Sequence, residues 1–339
     1  MTAASAVLSG VPTGASLRRL RRRVLTWYRR RGRTLEIRAT RDPYEILVAE
    51  VMAQQTQVGR VAPAWHAFLQ RFPTVTDLAA AGPADVIRAW AGLGYNGRAV
   101  RLRRAAVAIV DRHGGRVPSD VEALQRLPGV GPYTARAVAA TAFGRRVAPV
   151  DTNVRRVVGR IVIGHGHRGD PGTTPTTRQL QAAADSLVAP TRPAVWAHAL
   201  MDLGASLCRP LPRCAACPAR DACAYARLAG ERTLRSGAAS AGRRRAVTAP
   251  RPAAAAPPFE STTRWLRGRL LAGLRDAEDT AWVAVPDRVG RHERNAIEAA
   301  LDSLRRDGLV ERADDGRARL PTRPGRREDG PPALTTMAG

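Results

Sequence analysis

The chain of 339 residues contains no lysine, so its 55 basic residues are all arginine. No ε-amine exists to form a Schiff base with a sugar aldehyde, which excludes one class of covalent catalysis. Aromatic residues make up only 4%. No apolar run approaches the roughly 20 residues of a membrane-spanning helix, and no membrane segment is predicted. Cysteines are few, and all four lie between Cys208 and Cys223. A cluster of that kind in a reducing compartment favours metal binding over a disulfide framework. The first 23 residues place their arginines after a weakly apolar stretch, the reverse of a secretory signal, so a cytoplasmic protein is expected.

What is present has a strong bias. With 44% hydrophobic residues the chain has enough to build a core, and its length suits two domains. The formal net charge of +26 favours a polyanion, either nucleic acid or an acidic membrane surface.

From Leu17 to about Arg38 an arginine-studded amphipathic helix leads into a loop. Helical segments then follow one another from Asp42 to about Leu228, with breaks at Phe72-Pro73, Gly82-Pro83, Gly92–Gly97, Gly114-Gly115 and Pro128–Pro132. No alternating strand pattern interrupts them, so the stretch 17–228 reads as all-α. Residues 229–261, rich in Ser, Ala, Pro and Arg, read as a linker. Two helices over Thr262–Arg275 and Arg291–Asp307, then an Asp314-Asp315-Gly316 turn, give residues 262–321 a winged-helix-like α+β pattern. Residues 322–339 are expected to be a disordered tail.

Two features suggest chemistry on DNA. Leu127-Pro-Gly-Val-Gly-Pro-Tyr-Thr-Ala-Arg-Ala-Val138 reads as a tight hairpin feeding a helix. Gly129, Val130 and Gly131 would turn backbone N–H groups toward one phosphate, with or without a bound monovalent cation. An ordinary helix connection is the alternative. Twenty residues after Gly131, Asp151 stands at the mouth of the next helix with Asn153 beside it, either as a plain N-cap or as a working carboxylate.

Taken together, five stretches resemble the helix-hairpin-helix DNA glycosylase superfamily, and most of all its A/G-specific adenine glycosylases (the MutY type). They are Asp42-Pro-Tyr-Glu-Ile-Leu-Val-Ala-Glu-Val-Met-Ala-Gln-Gln-Thr-Gln-Val58, Gly92-Leu-Gly-Tyr95, the Leu127–Val138 hairpin, Val150-Asp-Thr-Asn-Val154 and Leu200-Met-Asp-Leu-Gly-Ala205. The resemblance implies an all-α core of two helical subdomains with an iron–sulfur loop. It implies Glu50 as the acid that protonates the departing base and Asp151 as the carboxylate that stabilises the oxocarbenium-like sugar. Tyr133 falls where lyase-type members carry lysine, so a monofunctional enzyme that leaves an abasic site is predicted. Gln54, Gln55 and Tyr95 match residues that fill or wedge the duplex around an extruded nucleotide. Cys208, Cys214, Cys217 and Cys223 resemble the loop that holds a [4Fe–4S] cluster, with tetrahedral zinc as the competing reading. The expected partner is double-stranded DNA carrying a mispaired or damaged base. A monomer is expected.

The departures from the family converge on its base pocket. Leu35-Glu-Ile-Arg38 replaces the usual Leu-Pro-Trp-Arg, so Ile37 stands for an aromatic beside Arg38. Ala53 replaces a leucine, and His198 stands where a Glu or Gln commonly reads the adenine edge. Residues 262–321 look too short and too helical for a Nudix-like domain. Adenine opposite 8-oxoguanine or guanine is the predicted target. A relative with altered base choice and a catalytically silent iron–sulfur DNA-binding protein are the alternatives.

Overall fold

Proline, glycine and capping side chains set the helix boundaries. The computed structural model describes residues 10–164, 175–228, 257–278, 281–322 and 335–336. Pro43, Pro83, Pro132 and Pro193 begin helices α2 (Pro43–Ala53), α5 (Pro83–Ala89), α8 (Pro132–Phe143) and α11 (Pro193–Ser206). A proline there lacks only an N–H that the first turn leaves unpaired anyway. Thr74, Asp120 and Asp151 accept backbone N–H groups at the starts of α4 (Val75–Ala80), α7 (Val121–Gln125) and α9 (Thr152–Val162). Left-handed Gly114 and Gly144 end α6 (Gly97–His113) and α8. The remaining helices of this stretch are α1 (Gly14–Arg31), α3 (Val58–Arg71) and α10 (Thr177–Leu187), with a 3-10 turn at Glu36–Arg38. Among the described residues from 42 to 228 there is no strand, as the sequence pattern predicts. Nor is any described helix long and apolar enough to cross a membrane.

The chain divides into two compact units. The first comprises residues up to Glu50, Ser119–Arg126 and Val130–Ala246. Helix α1 turns Leu20 and Val24 inward and leaves most of its arginines outside. Helix α9 contributes Val154, Val157, Val158 and Ile161 at helical spacing, and α11 contributes Trp196, Leu200 and Leu203 to the same core. Each such side chain contributes about 2 kcal/mol gross on burial.

The second unit comprises Val51–Pro118, Leu127–Gly129 and residues from Val247 onward. Phe68 packs edge-on against Trp90 at 5.8 Å and against Phe72 at 4.9 Å. Its C-terminal part is built from α12 (Thr263–Asp276), β1 (Val283–Ala284), a β2–β3 hairpin (Arg288–Val289 and His292–Glu293), α13 (Arg294–Arg306), β4 (Glu311–Arg312) and β5 (Ala318–Arg319). Both helices lie close to their expected spans, and β4 and β5 flank the expected Asp-Gly turn. Four further strands, β1, β2, β3 and β6, were not foreseen, because two-residue strands leave no alternating pattern to read. One of them, β6 (Thr335–Thr336), pairs in parallel with β1 inside the span expected as a disordered tail. The rest of that tail beyond residue 322, and residues 229–256 of the expected linker, lie outside the described residues. Leu266, Leu270 and Leu271 of α12 share one apolar cluster with Ile87 of α5 and Val100 of α6. The C-terminal elements are therefore packed onto the helices of this unit.

Candidate active site

Within the first unit the last turn of α2 sets Glu50 in a recess, crowded by protein atoms yet partly open to solvent. Burial pushes its pKa up to about 7 from an ordinary 4.5. The positive charge of Arg38 and a hydrogen bond from Tyr133 work against that rise, and the Asp151 carboxylate adds to it. A carboxyl held near neutrality is half protonated where most carboxylates are ionised. Tyr133, in the first turn of α8, has its own pKa raised by burial and by the neighbouring Glu50 and Asp151. Its hydroxyl therefore stays a donor, and it also lies 3.8 Å from the Met201 sulfur.

Asp151 caps α9. Its Oδ1 accepts the Val154 N–H at 2.7 Å, and its Oδ2 accepts the Asn153 amide at 3.2 Å. Both readings of this residue thus coexist: it is an N-cap, and its charge acts on Glu50 and Tyr133. Asn153 in turn accepts from Arg156 at 2.8 Å, and Arg156 donates to the Gly204 carbonyl at 2.8 Å and the Cys208 carbonyl at 2.6 Å. A continuous chain of hydrogen bonds therefore runs from Asp151 to the first cysteine. Gly204 is required there, since a Cβ would stand 2.7 Å from that of Asn153.

Arg38 does not stand alone beside Glu50. Its guanidinium makes a two-pronged pair with Asp202, 3.0 Å on each side, and reaches the Tyr28 hydroxyl at 3.2 Å. Arg33 approaches Asp202 through its side chain and its backbone N–H, each at 2.8 Å. Burial alone would raise the pKa of Asp202, but these donors hold it below the usual range. His198, one turn before Asp202 on α11, is 9% exposed, and burial beside Arg38 pushes its pKa down to about 3. It is a neutral imidazole with one donor and one acceptor nitrogen. Ile37 shares the 3-10 turn with Arg38 and is partly exposed. Ala53 closes α2 and belongs to the second unit.

Sequence reading did not single out Asp202, the partner of Arg38, and quoted it only as part of a motif. Replacing it with Asn is expected to leave the Arg38 charge acting on Glu50 alone. The Glu50 pKa would fall, and with it the rate at neutral pH of any reaction that uses the protonated form. A pH–rate profile whose upper limb fails to move to lower pH in Asp202→Asn would remove Asp202 from this role.

The second unit gathers Gln54, Gln55 and Tyr95. Among the described residues only Gln55 and Tyr95 are non-glycine residues with left-handed backbone, at φ 55° and 46°. Such conformations persist only where the surroundings impose them. Both turns are bonded by Arg98, 3% exposed, which no sequence signal singled out. Its guanidinium donates to the carbonyls of Val51, Met52, Gln54, Leu93, Gly94 and Tyr95 and to the Thr56 hydroxyl. It also lies 5.3 Å from the Trp90 ring centre and 5.7 Å from that of Tyr95. Gly129 is left-handed at φ 79°, and a Cβ there would meet Arg101 at 2.8 Å, so glycine is needed. Gly131, at φ −83°, caps α8 without that requirement, and Val130 is buried.

Cys208, Cys214, Cys217 and Cys223 line one small pocket with Arg160 and Tyr225. Arg160 donates to the Cys208 sulfur at 3.4 Å and accepts the Cys223 thiol on its carbonyl at 3.4 Å. Burial pushes the Cys217 thiol up to about 11, and neighbouring cysteines add to the shift. Among the described residues no three Cys, His, Asp or Glu side chains are closed around a metal position. The donor set of four thiols facing one pocket nevertheless fits a thiolate-bound group, whose positive charge would offset their mutual repulsion.

Residues 48–188 match the HhH-GPD superfamily of base excision DNA repair proteins. Over 312 residues the chain is 42% identical to the adenine DNA glycosylase of Mycolicibacterium smegmatis, covering 91% of this chain and 98% of that protein. It is 42% identical to the human adenine DNA glycosylase over 229 residues, 64% of this chain and 41% of the human one. Among solved structures a thermostable thymine-DNA glycosylase superposes with a TM-score of 0.57 at 29% identity, covering 63% of this chain and 97% of its own. The acid-bearing helix, the glycine hairpin and the capping aspartate thus lie within a shared helix-hairpin-helix core, and the chain belongs to the adenine DNA glycosylase family of HhH-GPD base excision repair proteins.

Proposed function

We propose that this DNA glycosylase hydrolyses the N-glycosidic bond of adenine opposite 8-oxoguanine or guanine in duplex DNA. The observation that carries the reading is the Glu50 carboxyl, pushed up to about 7 and bonded by Tyr133, with Asp151 close enough to act on both. Protonated Glu50 would give its proton to a ring nitrogen of the flipped purine, so that the base departs as a neutral molecule with the electrons of the broken C1′–N bond. The sugar left behind carries oxocarbenium character, which the ionised Asp151 stabilises until water adds to C1′ and loses a proton. Tyr133 would orient Glu50. With no lysine in the chain, the reaction stops at the abasic site.

The altered pocket is compatible with a purine. Neutral His198 offers one donor and one acceptor to a base edge, as the amide of a Gln would. A short C-terminal part does not argue against adenine, because the similarity to the mycobacterial enzyme extends over 91% of this chain. Gln54, Gln55 and Tyr95 would enter the duplex, and the N–H groups of Gly129–Gly131 would hold one phosphate, with or without a monovalent cation. Cys208, Cys214, Cys217 and Cys223 would hold a [4Fe–4S] cluster, whose contribution is to lock the loop, with its arginines, against α9. The enzyme would work as a monomer in the cytoplasm, on the nucleoid.

Single-turnover excision on duplexes that each carry one candidate base, read with and without alkali, tests the proposal. Strand breaks should appear only after alkali, on adenine opposite 8-oxoguanine or guanine. Excision of thymine or uracil instead would assign Ile37, Ala53 and His198 to a changed substrate.

A further inference from the structure

The C-terminal elements of the second unit meet the loop that carries Tyr95. Arg264, in the first turn of α12, places its guanidinium 4.3 Å from the centre of the Tyr95 ring. Arg98 lies 5.7 Å from the same ring, so two cations share one aromatic. Arg275, three turns further along α12, donates to the Asn96 side chain at 2.7 Å and to the Ile87 carbonyl at 3.1 Å. Arg88 of α5 returns the contact, donating to the carbonyls of Arg275 and Ala277 at 3.2 Å. The 92–97 loop is thus gripped at its ring and at its next side chain by one helix.

The surface around this grip has a definite charge. A cavity of about 660 Å³ is lined by Tyr95, Arg101, Arg264, Arg267 and Arg269, with Phe259 also along it. Asp307 is the one acid in the lining, and it is bonded by Arg267. Tyr95 is 41% exposed and Phe259 60%. Exposed aromatics flanked by arginines are the pattern of platforms that hold an unstacked nucleotide and its phosphates.

We propose that the C-terminal module is the mount of the wedge: Arg264, stacked on Tyr95, and Arg275, bonded to Asn96, are positioning residues that hold the ring ready to enter the duplex. The inference rests on the reading of Tyr95 as the wedge. A tyrosine at a left-handed backbone position directly after a glycine would relax to another conformation if nothing opposed it. Arg98 fixes the backbone of the loop from within, whereas Arg264 fixes the direction of the ring.

The test is stopped-flow fluorescence of 2-aminopurine placed beside the target adenine, with the full-length protein and single-turnover excision measured in parallel. Arg264→Gln should slow extrusion by about 5-fold, and Arg264→Lys, which restores a cation over the ring, should recover most of it. Excision of adenine opposite an abasic site, where no base pair has to be broken, should stay within about 2-fold of the unaltered protein. Arg275→Gln should behave like Arg264→Gln. Slow extrusion in Tyr95→Ala with an unaltered rate in Arg264→Gln would overturn the mount and keep the wedge. Unaltered extrusion in both variants would overturn the wedge reading and the mount with it. Equal slowing on both substrates, with a lowered melting temperature, would reduce Arg264 to a merely structural residue and overturn the proposal as well.

Discussion

Glu50→Gln is expected to lower single-turnover excision by about 10³-fold while leaving duplex affinity nearly intact. The amide keeps the shape and polarity of the side chain but has no proton to give at neutral pH. In the unaltered enzyme the rate should be flat below a pH of about 7 and fall about tenfold per pH unit above it, because only the protonated carboxyl works. A second measurement separates this role from that of a surface charge. The folded-state pKa lies above the ordinary 4.5, so the native protein binds more protons than the unfolded chain between those values. Stability is therefore fully present below 4.5 and is lost as pH rises through about 7, by about 3 kcal/mol in all. Gln at position 50 escapes that loss. The variant should melt at a higher temperature than the unaltered protein at pH 8, and the difference should shrink toward pH 4.5. A variant that is inactive yet no more stable at pH 8 would mean that Glu50 is not held in the high-pKa state described.

The contrast between Glu50 and Asp202 shows what a sequence discloses. Glu50 and Asp151 stand within local motifs whose spacing survives as geometry: one helix end, one cap, one glycine hairpin. Asp202 lies in an equally recognisable stretch, but its partners are Arg33 and Arg38, more than 160 positions earlier in the chain. Nothing local records that pairing. The same holds for the C-terminal module. Its two helices are plain from their apolar spacing, and its Asp-Gly turn from its residues. Its contact with the Tyr95 loop depends on Arg264 and Arg275, two of 55 arginines with nothing in the sequence to set them apart. The unit boundary between Glu50 and Val51 cuts through α2, where helical periodicity runs on without a break.

Arg98 is the strongest case of this kind, and its replacement is expected to have the largest effect on stability. Six backbone carbonyls and one hydroxyl take their hydrogen bonds from this one guanidinium. Three of the carbonyls belong to the end of α2 and the turn after it, and three belong to the Tyr95 loop. Carbonyls that turn sharply in the interior cannot pair with one another, and each left unpaired costs about 1–3 kcal/mol. A planar fork with five donors can serve two strands of backbone at once, which an ammonium cannot. Burial, with Arg101 nearby, already pushes the pKa of Arg98 down to about 10, so the charge is held at some cost for the sake of those bonds. Arg98→Met should therefore lower stability by about 4 kcal/mol, since the individual losses overlap, and the melting temperature by about 10 °C. Arg98→Lys keeps the charge and should still lose more than half of that. In both variants limited proteolysis should begin at residues 54–57 and 92–97, the two segments that the guanidinium holds. Urea unfolding supplies the decisive comparison. If Arg98→Met unfolds at the midpoint of the unaltered protein, the left-handed turns at Gln55 and Tyr95 are held by something other than Arg98. The arrangement of Gln55 and Tyr95 would then have to be explained from the glycine loop itself.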